Sequence, residues 1–199
     1  RRSAAPILNL KLLENPTLRI AVLSGSIFRI GVGATPFLLP LMFQIGFGLN
    51  PLESGLLTFA SAIGAISLKL FAATALRLLG FRNVLLVAIT MGSALIAVNG
   101  LFTPQTPYWL IITILVVAGF FRSLFFTSNN ALIFADIADH EASQATAISA
   151  VSQQISIALG VAVAGMVLEA HHVITGEETG LAAFSTAFFV VGAFAVTAF

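Results

Sequence analysis

The sequence predicts an all-α polytopic membrane protein, with six transmembrane helices arranged as two inverted three-helix repeats. Three observations carry that prediction. The chain is 58% hydrophobic and only 9% charged, with a mean hydropathy of +1.04, whereas soluble domains have about 25% charged residues. Six apolar runs are each able to supply the roughly 20 residues of helix that cross a bilayer core. None shows the two-residue alternation of a barrel strand, and all are too long for strands of about ten residues.

Residues 1–16 form a polar lead-in, and 17–199 form the bundle. The first span covers about 17–46 and starts well, with Asn15 as N-cap and Pro16 at the first helical position. The second, about 54–75, follows the turn residues Gly48-Leu49-Asn50-Pro51. Gly80-Phe81-Arg82-Asn83 leads into the third, about 84–101, and Thr103-Pro104-Gln105-Thr106-Pro107 into the fourth, about 108–134. The fifth, about 145–168, follows the acidic stretch from Asp136 to Ser143. The sixth, about 181–199, follows His171 to Gly180.

Lysine and arginine set the expected orientation. Arg1, Arg2, Lys11 and Arg19 precede or open span one, and Arg77 and Arg82 lie between spans two and three. The alternate loops carry neither residue, so the positive-inside rule puts both ends of the segment in the cytoplasm. The chain opens on Arg1-Arg2 without a methionine and stops at Phe199 within an apolar run. It is therefore expected to be part of a longer polypeptide.

Charge inside the spans is the functional signal. Arg29 lies in span one and Arg122 in span four, and a guanidinium at the bilayer centre costs about 2.5–3.5 kcal/mol even on insertion scales. Each arginine therefore reports a watered cavity or a buried partner. Gly25, Arg29, Gly33, Pro36 and Pro40 fall within an arc of about 80° on a helical wheel. That face suits a flexing, cavity-lining helix in which Gly33, Pro36 and Pro40 form a gating kink; the alternative is a packed face whose arginine meets a carbonyl or an acid. On span four, Phe125 or Phe126 and Asn129 share a face with Arg122, a setting for an apolar or cationic organic ligand. Span five puts Ser149, Gln153, Ser156 and Gly160 on one small, polar stripe that invites a close helix contact. Spans three and six are almost featureless. Lys69 sits within snorkelling distance of an interface, and Asp136, Asp139, His140 and Glu141 form a solvated turn able to latch onto Arg77 or Arg82.

Other classes find no support. With a net charge of +1 there is no basic stripe for nucleic acid. There are no cysteines, no HExxH, no nucleophile elbow, no phosphate loop and no acid pair within a span, so no enzyme is indicated. Glu169, His171 and His172 do not fix a metal geometry, and no cofactor is implied.

The lead-in Pro6-Ile7-Leu8-Asn9-Leu10-Lys11-Leu12-Leu13-Glu14-Asn15-Pro16-Thr17-Leu18 resembles the stretch before the second half of fourteen-span drug–proton antiporters of the major facilitator superfamily. Phe28-Arg29-Ile30-Gly31, Leu39-Pro40-Leu41, Gln44-Ile45-Gly46-Phe47-Gly48, Arg77 to Val84 and Asp136-Ile137-Ala138-Asp139 are similar to the same branch. The resemblance implies the C-terminal half of such a transporter, in a bacterial inner membrane, exporting drugs by proton-coupled alternating access. Its partners would be the N-terminal half of the polypeptide, a small-molecule substrate, protons and lipid. It further implies that the first helix of each triplet lines the cavity, here with Arg29, Arg122, Gln44, Phe126 and Asn129. The second helices would pack against the other half through Ser149, Gln153, Ser156 and Gly160. Arg77 and Arg82 would belong to a cytoplasmic loop. Carriage of a metabolite, siderophore or sugar, or a scaffold role without transport, are the alternatives; a scaffold would bury both arginines against protein.

Overall fold

The computed structural model describes residues 10–67, 72–176 and 180–198. Lys69 and most of the lead-in lie outside the described residues. Every regular element within them is helical: α1 (Pro16–Leu41), α2 (Pro51–Ser67), α3 (Ala72–Asn99), α4 (Tyr108–Ile133), α5 (Ala142–Thr175) and α6 (Leu181–Val196). Single 3-10 turns at Leu10–Glu14 and Asp139–Glu141 precede α1 and α5.

Local chemistry sets the ends. Asn15 caps α1, its Oδ1 accepting from the amides of Thr17 (2.9 Å) and Leu18 (3.2 Å). Thr17 Oγ1 donates to Asp136 (2.6 Å) and Asn15 Nδ2 to the Asp136 carbonyl (3.2 Å). The acidic turn thus latches onto the start of α1, and not onto Arg77 or Arg82, both of which are exposed. Past Pro40, whose missing N–H weakens the last turn, α1 widens into a π-helical turn at Met42–Gly46, with the Phe47 amide donating to the Met42 carbonyl (3.1 Å). Asn50 and Glu53 bond each other's amides in a capping box that starts α2. The break expected near Gly80 is that residue alone, with φ 72° and ψ 164° inside α3. A side chain would strain there. Arg77 and Arg82 therefore flank a helix kink, where a loop was expected.

Among the described residues, four helical stretches are long and apolar enough to cross a membrane: Pro16–Gly46, Gly80–Asn99, Tyr108–Ile133 and Asp139–Thr175. The chain is a multi-pass membrane protein. α5 continues past Leu168 to Thr175, so Glu169, His171 and His172 lie on helix and not in a loop.

The principal helix pairings survive exchange of the two triplets. α1 packs chiefly on α5, and α2 on α4; α3 meets α4 and α6, and α6 meets α1. Glycine makes the two main crossings. A Cβ on Gly64 of α2 would overlap the Val116 carbonyl of α4, and one on Gly119 would overlap that of Ser61. On the other side, Gly160 of α5 meets the Ile30 carbonyl, and a Cβ on Gly33 would stand 2.8 Å from Ile157 Cα. One shift in number carries Ile30 and Gly33 to Val116 and Gly119, and another carries Ser61 and Gly64 to Ile157 and Gly160. The two crossings are one contact made twice, as two inverted repeats require. In lipid, where apolar burial gives little drive, such close backbone approach holds helices together.

Candidate functional site

The repeat register separates the two arginines. It pairs Gly33 with Gly119, and so matches Arg122 to Pro36 and Arg29 to Leu115. The contacts Thr17–Asp136 and Phe28–Phe125 (ring centroids 4.2 Å apart) show that α1 and α4 run antiparallel. Long side chains lean toward the N-terminus of their own helix. On antiparallel helices, then, Arg29 and Arg122 lean in opposite directions, and the cavities that Arg122 lines do not take in Arg29.

Arg29 is wholly buried. Its Nη2 donates to the Asn129 amide oxygen (3.2 Å), with the amide oriented so that its nitrogen donates to the Ala21 carbonyl (3.1 Å). The Phe126 ring centroid is 5.5 Å from its Cζ, a cation–π contact. Gly25 leaves room for this cluster, since a Cβ there would lie 2.9 Å from the Asn129 amide group and 3.0 Å from Arg29 Nη1. Asn129 and Phe126, expected beside Arg122, instead close around Arg29. The guanidinium bridges α1 and α4 inside the chain and presents no surface to a carboxylate from elsewhere.

Arg122 has a different setting. It is only partly buried and lines a cavity of about 260 Å³ with Thr35, Pro36, Pro40, Thr58 and Ser61. The lining carries three hydroxyls, one guanidinium and no carboxylate. Ser61 Oγ and Thr58 Oγ1 donate to carbonyls of their own helix, Ser61 to Thr58 (3.0 Å) and Thr58 to Ser54 (3.0 Å). Each hydroxyl oxygen retains the capacity to accept a hydrogen bond. Each proline leaves a carbonyl four residues earlier without its helical donor, which is tolerated where a cavity reaches it. Such a site can hold an anionic or hydrogen-bonding group against Arg122.

The remaining expected residues disperse. Pro36 and Pro40 line the Arg122 cavity, while Gly33 is locked in the α1–α5 crossing and does not act as a free hinge. Gln44 lies in the π-helical turn and does not line that cavity. Ser149, Ser156 and Gly160 are buried, Gly160 against α1. Beside them Ser152 Oγ shares a 2.6 Å hydrogen bond with Ser26 of α1. Part of the stripe thus joins helices within this chain; Gln153 is half-buried, and Ser156 lines an open groove with Ser26 and Ser152. Thr35, Thr58 and Ser61 were not singled out from the sequence. The available signal was three-residue spacing of Thr58, Ser61 and Gly64 on one face of span two.

The Major Facilitator Superfamily matches residues 21–199. The chain is 30% identical over 168 residues to the "Putative multidrug resistance protein MdtD" of Pectobacterium carotovorum, covering 84% of this chain and 36% of that protein. It is 31% identical to the protein of the same name from Salmonella paratyphi A, over 84% of this chain and 36% of the relative. The corresponding Serratia proteamaculans protein is 30% identical over 88% of this chain and 37% of its own length. The chain spans little more than a third of the relatives it matches.

Proposed function

The chain belongs to the major facilitator superfamily, and on that premise we propose that it is the C-terminal half of a multidrug efflux transporter. In this reading residues 1–16 lead in from the first half, and 17–199 form one six-helix half with both ends in the cytoplasm of a bacterium. The two halves rock around a shared site in the inner membrane, expelling small organic molecules in exchange for protons. The similarity to proteins named for multidrug resistance supports the substrate class. Enzymatic chemistry has no part in this reading.

The observation that carries it is Arg122, a permanent cation at a cavity beneath two prolines of a leading helix. Water in the cavity relieves its cost in the membrane, and its charge faces where a substrate anion, or a carboxylate of the other half, can reach it. No acid of this chain lies deep in a span. The proton carrier therefore belongs to the first half, and a nearby guanidinium would favour its ionised form. Arg29 takes no direct part.

The test is proton-driven efflux by the full-length protein in inverted vesicles. Arg122→Ala should lower transport at least tenfold at equal expression, with Arg122→Lys retaining part of it. Undiminished transport by Arg122→Ala would overturn the reading. The three hydroxyls beside Arg122 favour a second reading, a hydroxylated or anionic metabolite as cargo. Tight competition by such a compound, with none by lipophilic cations, would select it.

A further inference from the structure

Arg122 also lines a second, smaller and more enclosed recess between α1, α2, α3 and α4, with room for about 30 Å³. Phe28, Thr35, Ser61, Asn99 and Arg122 contribute to its wall. Thr35, Ser61 and Arg122 also line the outer cavity, so the two spaces share a polar partition. Two atoms at the recess have unmet needs. Asn99 is 1% exposed and its Oδ1 has no hydrogen-bond partner among the described residues; the same holds for the buried Oγ1 of Thr35. A buried acceptor left unpaired is destabilising, and two within one recess is a cost that folded proteins meet with ordered water. A water site needs on the order of 10–15 Å³ and two or more polar partners. The recess has the volume for one or two molecules, an acceptor in Asn99, a hydroxyl in Thr35 and donors in Arg122.

We propose that this recess is a built water site, in which one or two molecules bridge Asn99 Oδ1 and Thr35 Oγ1 and accept from Arg122. The size rules out anything larger, and the partners on three helices rule out a merely apolar void. The site hydrates Arg122 from inside the bundle, so that its outer face is free for a guest in the main cavity. This inference requires no substrate and stands whether or not the chain takes part in efflux.

Two measurements test it in the full-length protein. In the first, Thr35→Val, Asn99→Leu and their double variant are melted in detergent. Each single change removes a hydrogen bond to bridging water and should lower the midpoint by roughly 2 °C, and the double should lower it by less than the sum. If the recess is dry, removing an unpaired polar atom raises the midpoint or leaves it unchanged, and the proposal fails. Strictly additive losses would likewise overturn the bridge. The second uses the unsubstituted protein and so does not depend on variants that fold. Brief X-ray radiolysis converts bound water to hydroxyl radical, which labels neighbouring rings. Phe28, fully buried but lining the recess, should be labelled well above Phe188, which is equally buried and lines no cavity described here. Equal labelling of the two rings would count against bound water.

Discussion

A fully buried guanidinium is stable only while its partners hold. Arg29 depends on one amide oxygen and one aromatic ring, so Asn129→Leu should destabilise the protein by about 2 kcal/mol, the scale of a hydrogen bond to a charged group. Combining it with Arg29→Met removes the stranded charge and should recover most of that loss. Thermal denaturation of the four proteins in the cycle measures the coupling, and a coupling near zero would dissolve the Arg29–Asn129 bridge. Transport by the double variant should persist under conditions where Arg122→Ala lowers it at least tenfold. The presence of two charges in the membrane was legible in the sequence; their partners were not. Arg122, Phe126 and Asn129 do share a helical face, but seven residues of helix rise by about 10 Å. At the level of Asn129 the neighbour on α1 is the head of Arg29. A wheel discards that axial distance, and only the antiparallel register restores it.

Whole helices meet through their glycines. Gly64 and Gly160 sit at equivalent points of the two crossings, and a Cβ at either would overlap a carbonyl of the facing helix. Gly64→Leu and Gly160→Leu should each destabilise the bundle by about 1–3 kcal/mol or more through forced separation of backbones. Gly165→Leu on the same α5, where nothing lies within 4 Å, should be close to neutral. Melting midpoints in detergent compare the three, and a Gly165 variant as damaged as the others would assign the loss to glycine itself, not to the crossing. The small, polar stripe of α5 was legible as a helix contact, because Ser and Gly at helical spacing admit close approach. Its partner was not legible. The stripe fits any helix, and Ile30 and Ala34 of α1 declare themselves only in three dimensions. Similarly, the apolar run of span five could not show that its helix continues to Thr175, since helix persists into water when caps and exposed faces allow it.

For the molecule as a whole, the bias of lysine and arginine makes a directional claim. Single cysteines at Arg82 and Gln105, in a cysteine-free background, should react with a membrane-impermeant maleimide from opposite sides. Gln105 should be labelled on intact cells and Arg82 only after permeabilisation, and the reverse would invert the topology. The all-helical class was the most legible property, because hydrocarbon leaves few ways to satisfy a spanning backbone. The exchange-symmetric pairing has a further consequence for biosynthesis. The leading helix of each triplet rests on the second helix of the other, so neither triplet carries its own foundation. When α1 enters the membrane its proper seat, α5, has yet to be translated, and α2 waits in the same way for α4. A chain arrested after α3 should therefore be inserted but unassembled, open to proteolysis along its glycine faces. Consolidation of the bundle is then expected late, begun when α4 reaches α2, continued when α5 closes on α1 and completed by α6.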